Sequence, residues 1–248
     1  MDPLDLAILV AGLGFAGFAK GATAMGLPLI ATPILAGVFG PRPAVVIMSI
    51  PILVSNSLLL VQRGRSLAVM RSVLPILVAG AIGSAGGVLL LSRIDQKVFA
   101  IVIASLVAFF LLRGDRLLGS DPAARRLRWG GPALGLVAGV AQGSTSIASP
   151  LIGSFFHARR LPPAHYVIVL AAIFQLNSIV QVIGFVLLGL YTPELVAIGI
   201  LGLVPTLLAL MAGIWARGRL DERRFRQLIV ALLIVSVANL LWRTFAAV

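Results

Sequence analysis

Long apolar runs alternate with short basic clusters along this chain. The runs Ala44–Val61, Leu67–Leu91, Val167–Leu190, Leu195–Trp215 and Phe225–Phe245 are each long enough to cross roughly 30 Å of hydrocarbon at about 1.5 Å per residue, and Val98–Leu112 is a shorter sixth. Two regions depart from this pattern. Leu4–Ala19 is apolar, then KGATAMGLP interrupts, then Leu29–Val38 is apolar again; Trp129–Ala141 is followed by QGSTSIASP and Leu151–Phe156. Each piece is expected to be too short to span comfortably. The Gly, Thr, Ser and Pro between them favour breaks and caps over continuous helix.

The two broken regions are copies of one another. At an offset of 122, AGFAKGATAMGLPL (Ala16–Leu29) aligns with AGVAQGSTSIASPL (Ala138–Leu151), with seven of fourteen positions identical. At an offset of 121, Asn56-Ser57 falls on Asn177-Ser178; at 126, SRIDQKVF (Ser92–Phe99) falls on GRLDERRF (Gly218–Phe225). Three matches in the same order at nearly one spacing indicate an internal duplication, with repeats at 1–120 and 121–248.

Composition supports a bilayer setting. Apolar residues make up 60% of the 248 positions and charged residues only 11%, too few to coat a soluble core. The net charge of +12 does not read as nucleic-acid binding, because the Arg residues sit in short clusters between apolar runs and not among aromatics on one face. The absence of Cys excludes disulfides and thiolate metal sites. The start, MDPLDL, lacks the positive charge of a cleavable signal, so the first helix is expected to be retained.

The same basic residues bear on topology. If both broken regions cross the membrane fully, Arg and Lys divide nine against ten, setting aside Lys20. If both are re-entrant hairpins, one face collects Arg63, Arg65, Arg71, Arg113, Arg116, Arg125, Arg126, Arg128, Arg159, Arg160, Arg217, Arg219, Arg223, Arg224 and Arg226. The other face then keeps only Arg42, Arg93, Lys97 and Arg243. That fifteen-to-four bias favours hairpins and puts both termini outside the cytoplasm. The expected fold is an all-α polytopic membrane protein of two inverted repeats, each a broken or re-entrant helix plus three transmembrane helices, a plan that recurs in secondary transporters.

The breaks are the first candidates for chemistry. A half-helix that begins inside the membrane presents N–H groups without intrahelical partners, which an anion satisfies well. Gly21 and Gly143 allow close backbone approach, and Thr23, Ser144, Thr145 and Ser146 add hydroxyls. The alternative is that small residues simply let helices pack closely. Lys20, whose repeat partner is Gln142, costs roughly 2.5–3.5 kcal/mol within a membrane helix. All eight acidic residues are terminal or in predicted loops, so this charge points to an anionic cargo. Asn56 and Asn177, with Gln175 and Gln181 nearby, either join helices by hydrogen bonds or face a common site. His157 and His165 flank a predicted loop and read as surface. No Ser/His/Asp set, metal motif or P-loop is present, and no cofactor is expected.

The duplicated break ending in Pro, GFAKGATAMGLP and GVAQGSTSIASP, together with R-[IL]-D-x-[KR]-x-F in each half, resembles the TauE/SafE sulfite exporter family of the 4-toluene sulfonate uptake permeases. The resemblance covers essentially the whole chain, although Ala, Thr and Ser replace several glycines common in the family's breaks. It implies a carrier in the bacterial cytoplasmic membrane that exports sulfite, sulfoacetate or another organosulfonate. A carrier of another small anion or a carboxylate, a membrane enzyme and an assembly subunit are the alternatives. The coupling ion (proton or sodium) and the oligomeric state are left open.

Overall fold

A computed structural model describes residues 2–63, 67–118, 130–159, 161–217, 219 and 221–245. The described residues are almost all helical, without a strand among them. The helices are α1 (Pro3–Thr23), α2 (Leu27–Phe39), α3 (Pro41–Arg63), α4 (Leu67–Arg93), α5 (Gln96–Leu118), α6 (Gly130–Thr145), α7 (Ser149–Ala158), α8 (Pro163–Leu187), α9 (Pro193–Leu201), α10 (Leu203–Ala216) and α11 (Glu222–Phe245). Much of the charge count above rests on Arg125, Arg126 and Arg128, which lie outside the described residues, as do Arg65 and Arg160.

Six stretches are long and apolar enough to cross a membrane: Pro3–Thr23, Pro41–Gln62, Met70–Arg93, His165–Leu187, Pro193–Ala216 and Arg223–Phe245. The set differs from the sequence expectation at two places, the first helix and α5. The first helix does not stop near Ala19 but runs on through Lys20–Thr23, so its 21 residues have spanning length by themselves. The apolar part of α5, Gln96–Leu112, falls among the shorter helices. The physical reason is that Gly21 and Thr23 each cost a helix no more than about 1 kcal/mol, and close packing of Gly21 on a neighbouring helix offsets this.

The distribution of polarity is that of a lipid-facing protein. Ile82, Leu208, Trp215, Val235 and Trp242 are all more than 60% exposed, whereas Lys20, Asn56, Gln142, Asn177 and Gln181 are at most 2% exposed. In water that arrangement would be costly on both counts; in a bilayer the exposed faces meet acyl chains and the polar groups gather inside. Pro33, Pro51 and Pro75 sit within helices, a placement that membrane proteins tolerate. Pro205 removes the N–H that would bond Leu201 O, and the helix is interrupted there at Gly202 between α9 and α10.

The chain forms two compact units, residues 1–51, 94–111 and 191–248 in one, and 52–93 and 112–190 in the other. In the first, α1 packs on α10 and α2 on α11; in the second, α6 packs on α4, and α8 lies against both. Each unit therefore joins the broken helix of one sequence half to a crossing helix of the other. A Cβ on Gly21 would stand 3.0 Å from Gly213 Cα, and one on Gly87 would stand 3.0 Å from Gly143 Cα. Gly21 and Gly143 differ by 122 in number and Gly87 and Gly213 by 126, so the contact in each unit involves repeat-related positions.

The duplicated R-[IL]-D-x-[KR]-x-F element also has a local structural role. Asp95 Oδ1 accepts from the Lys97 and Val98 N–H groups at 2.8 and 3.3 Å, and Asp221 Oδ1 accepts from Arg223 and Arg224 at 3.0 and 3.2 Å. Both carboxylates thus cap the next helix, α5 and α11 respectively.

Candidate functional site

The first break belongs to the first unit. Helix α1 ends at Thr23, whose hydroxyl donates to Ala19 O at 2.8 Å and accepts from Met25 N–H at 3.4 Å. Ala24 is left-handed at φ 68°, its N–H closing on Lys20 O at 2.7 Å, and Gly26 follows at φ 99° before α2 begins. A positive φ at Ala24 is rare for a residue with a side chain, and the Thr23 hydroxyl bonds help to maintain it. Lys20 is buried in the last turn of α1. A second cation meets the same helix end: Arg217, at the end of α10, donates to Gly21 O at 2.6 Å and to Ala22 O at 3.1 Å. These carbonyls are the negative pole of α1. Lys20 and Arg217 therefore both lie at a helix C-terminus, not at the N-terminus on which the anion argument from sequence was based.

The second break repeats the first within the other unit. Thr145 Oγ1 donates to Ala141 O at 2.7 Å and accepts from Ile147 N–H at 3.1 Å; Ser146 is left-handed at φ 62°, its N–H bonded to Gln142 O at 2.8 Å. Ser144 Oγ donates to Val140 O at 2.7 Å. Thr145 and Ser144 thus spend their hydroxyl protons on the backbone of their own helix, and Thr23 spends its proton on Ala19 O or on Met25 O, each at 2.8 Å. Thr23 is exposed and Thr145 fully buried. Gly143 presses on the backbone of Ser84 in α4.

What holds the second break differs from the first. Gln181 of α8 directs Nε2 to Gln142 O at 2.8 Å, Gly143 O at 3.3 Å and Ser146 Oγ at 3.0 Å. An uncharged amide here does what Arg217 does at the first break. Asn177 lies one turn before Gln181 on α8; its backbone O accepts from Ser84 Oγ at 2.9 Å, and its side chain lies against Gly80. The Gln142 Nε2, Gln181 Oε1, Ser149 Oγ and both Asn177 amide atoms are buried without a hydrogen-bond partner among the described residues. Gln175 Nε2 donates to Ser57 Oγ at 2.9 Å, which ties α8 to α3 close to Asn56.

Of the residues expected at the site, Lys20, Gly21 and Thr23 belong to the first unit, and Asn56, Gln142, Gly143, Ser144, Thr145 and Asn177 to the second. From sequence alone Arg217 is one of fifteen basic residues assigned to one face, and Gln181 is a neighbour of Asn177. Gln181 had a signal, four residues beyond Asn177 on one helical face. Arg217 had none, because its role depends on how α10 lies on α1. Among the described residues no cluster of His, Asp and Glu could hold a metal ion.

The family model for the sulfite exporter TauE/SafE matches residues 8–240. The chain belongs to the TauE/SafE family. This family is one of membrane transporters of the sulfite-exporter type, so the TauE/SafE protein described here is a multi-pass membrane transporter and not an enzyme. No curated protein and no solved structure matches it. The family match spans both breaks and both Asp caps, beginning within the first long apolar stretch and ending within the last.

Proposed function

We propose that this TauE/SafE protein is a secondary transporter that exports a small sulfur-containing anion, such as sulfite, sulfoacetate or another organosulfonate, across a bacterial cytoplasmic membrane. The family match over residues 8–240 carries this reading. Lys20, 2% exposed in the last turn of α1, supports an anionic cargo, since a cation buried at membrane depth is costly unless function needs it. In the other unit Gln142, Gly143, Ser144 and Thr145 form the end of the helix at the second break, and the buried, uncharged Asn56 and Asn177 are read as part of the same site. Gly21 and Gly143 bring the helix end at each break backbone to backbone with a neighbouring helix.

The two sequence repeats, 1–120 and 121–248, are read as inverted, with both termini outside the cytoplasm. The fifteen-to-four division of basic residues and the recurrence of contacts at offsets of 122 and 126 support this arrangement. Labelling of single cysteines placed between Arg113 and Arg128 tests it. Reaction only from the cytoplasmic side is expected, and reaction from outside would reverse the orientation.

Thermal-shift or direct binding measurements on the purified protein test the cargo class. Sulfite or sulfoacetate should stabilise it and an uncharged analogue should not, and Lys20→Gln should weaken the anion's effect. Equal stabilisation by the neutral compound would end the anion reading.

A further inference from the structure

The buried polar side chains of the second unit, Asn56, Gln142, Asn177 and Gln181 with several Ser and Thr, are all uncharged among the described residues. Selection among anions at the second break would therefore come from matching donors to acceptors, not from added charge. The Gln181 amide has a defined direction. Its Nε2 bonds Gln142 O, Gly143 O and Ser146 Oγ, so both of its protons are used on the break and Oε1 is left as its open acceptor. That oxygen is 0% exposed within its residue and has no donor among the described residues. One turn earlier on the same face of α8, Asn177 presents an unpartnered Oδ1 and Nδ2, and Gln142 at the break presents an unpartnered Nε2.

The cluster thus offers two N–H donor groups and two acceptor oxygens. A fully deprotonated oxyanion satisfies the donors but sets its own negative oxygens against Gln181 Oε1 and Asn177 Oδ1. Unpaired, such buried acceptors are unfavourable. An oxyanion that keeps one O–H satisfies both sets. On the reading that the cargo is a small sulfur anion, we propose that the amide cluster of Gln142, Asn177 and Gln181 recognises a singly protonated oxyanion, hydrogensulfite in place of an organosulfonate, with Gln181 Oε1 or Asn177 Oδ1 accepting a hydrogen bond from the ligand's O–H.

Methanesulfonate is the probe, because it carries the same single charge and the same three sulfur-bound oxygens but no O–H to donate. Binding of sulfite and of methanesulfonate to the purified full chain in lipid nanodiscs is measured across pH. Sulfite is expected to bind at least about tenfold tighter at mildly acidic pH, since a site built to bond a hydroxyl rejects an analogue lacking it. Above sulfite's own second ionisation its apparent affinity should fall about tenfold per pH unit, while that of methanesulfonate stays level. Gln181→Met and Asn177→Met should each reduce the preference, and melting temperatures identify any variant that fails to fold; Asn177 has no side-chain bond to the break, so its variant stands if Gln181→Met does not. Equal wild-type affinity for the two anions, or sulfite binding that strengthens as its proton is lost, overturns the inference. A sulfite preference unchanged in both variants assigns the amides to buried water and overturns it equally. Binding of neither anion to the wild type would instead refute the proposed function itself.

Discussion

One methyl group at Gly139 should separate two helices that now touch backbone to backbone. An alanine Cβ there would stand 2.8 Å from the Gly80 carbonyl carbon and 2.9 Å from Gly80 Cα, nearer still to the carbonyl oxygen, whereas ordinary contact begins at 3.4 Å. Helix α6 would have to withdraw from α4 by about 0.6 Å at the carbonyl carbon alone. The neighbouring contacts of Gly83, Gly87 and Gly143 are equally close, so the helices cannot pivot around the obstruction without opening another gap. Overpacking of this kind costs about 1–3 kcal/mol. Gly86 supplies the control: it is exposed on α4 and has nothing within 4 Å of its Cβ position. Both Gly→Ala changes gain similar helix propensity, up to about 1 kcal/mol, so the difference between them isolates the clash. Melting of Gly139→Ala and Gly86→Ala in one detergent should differ by roughly 2–4 °C for each kcal/mol, with Gly139→Ala lower. If Gly139→Ala melts at or above Gly86→Ala, the close α4–α6 contact is not what holds the second unit together.

Arg217→Lys should destabilise the first unit by about 1–2 kcal/mol, because an ammonium cannot bond Gly21 O and Ala22 O with the fork of a guanidinium; a melting temperature equal to wild type would refute this. Asp221→Ala should cost about 1 kcal/mol by removing the α11 cap, and Asp221→Asn should recover most of it in the same assay. At Asp95 the N–H groups of Lys97 and Val98 hold the carboxyl below its ordinary range. A folded value lowered in this way adds stability at pH above the unfolded value and loses it as pH falls through the folded one. The difference in melting temperature between wild type and Asp95→Asn should therefore shrink on acidification, and a difference that grew would reverse the assignment.

The broken helices, the duplication and the membrane setting were all legible in the residues. Gly, Ser and Thr followed by Pro favour an interruption of helix over its continuation, and long apolar runs with few charges admit little but a bilayer. The exact end of α1 was not legible. Local propensity put it near Ala19, but Gly21 packs closely on Gly213 and Leu210 of α10, and the helix extends four residues to make that contact. The role of Thr23 and Thr145 was also misjudged in character. Their hydroxyls looked available for a ligand, yet a helix that ends on a left-handed residue leaves carbonyls and an N–H for a nearby hydroxyl to satisfy.

By itself, the sequence determined that this chain is a duplicated, membrane-spanning bundle with a polar interruption in each half, because hydrophobic length and local backbone preference are properties of contiguous residues. Only the tertiary structure decided which helix each break rests on, that α1 meets α10 and α6 meets α4 across the halves, and that Arg217 secures one break while Gln181 secures the other. Those pairings join positions about 40 to almost 200 residues apart, and they are chosen by shape and by the need to satisfy every buried carbonyl, which no local pattern encodes.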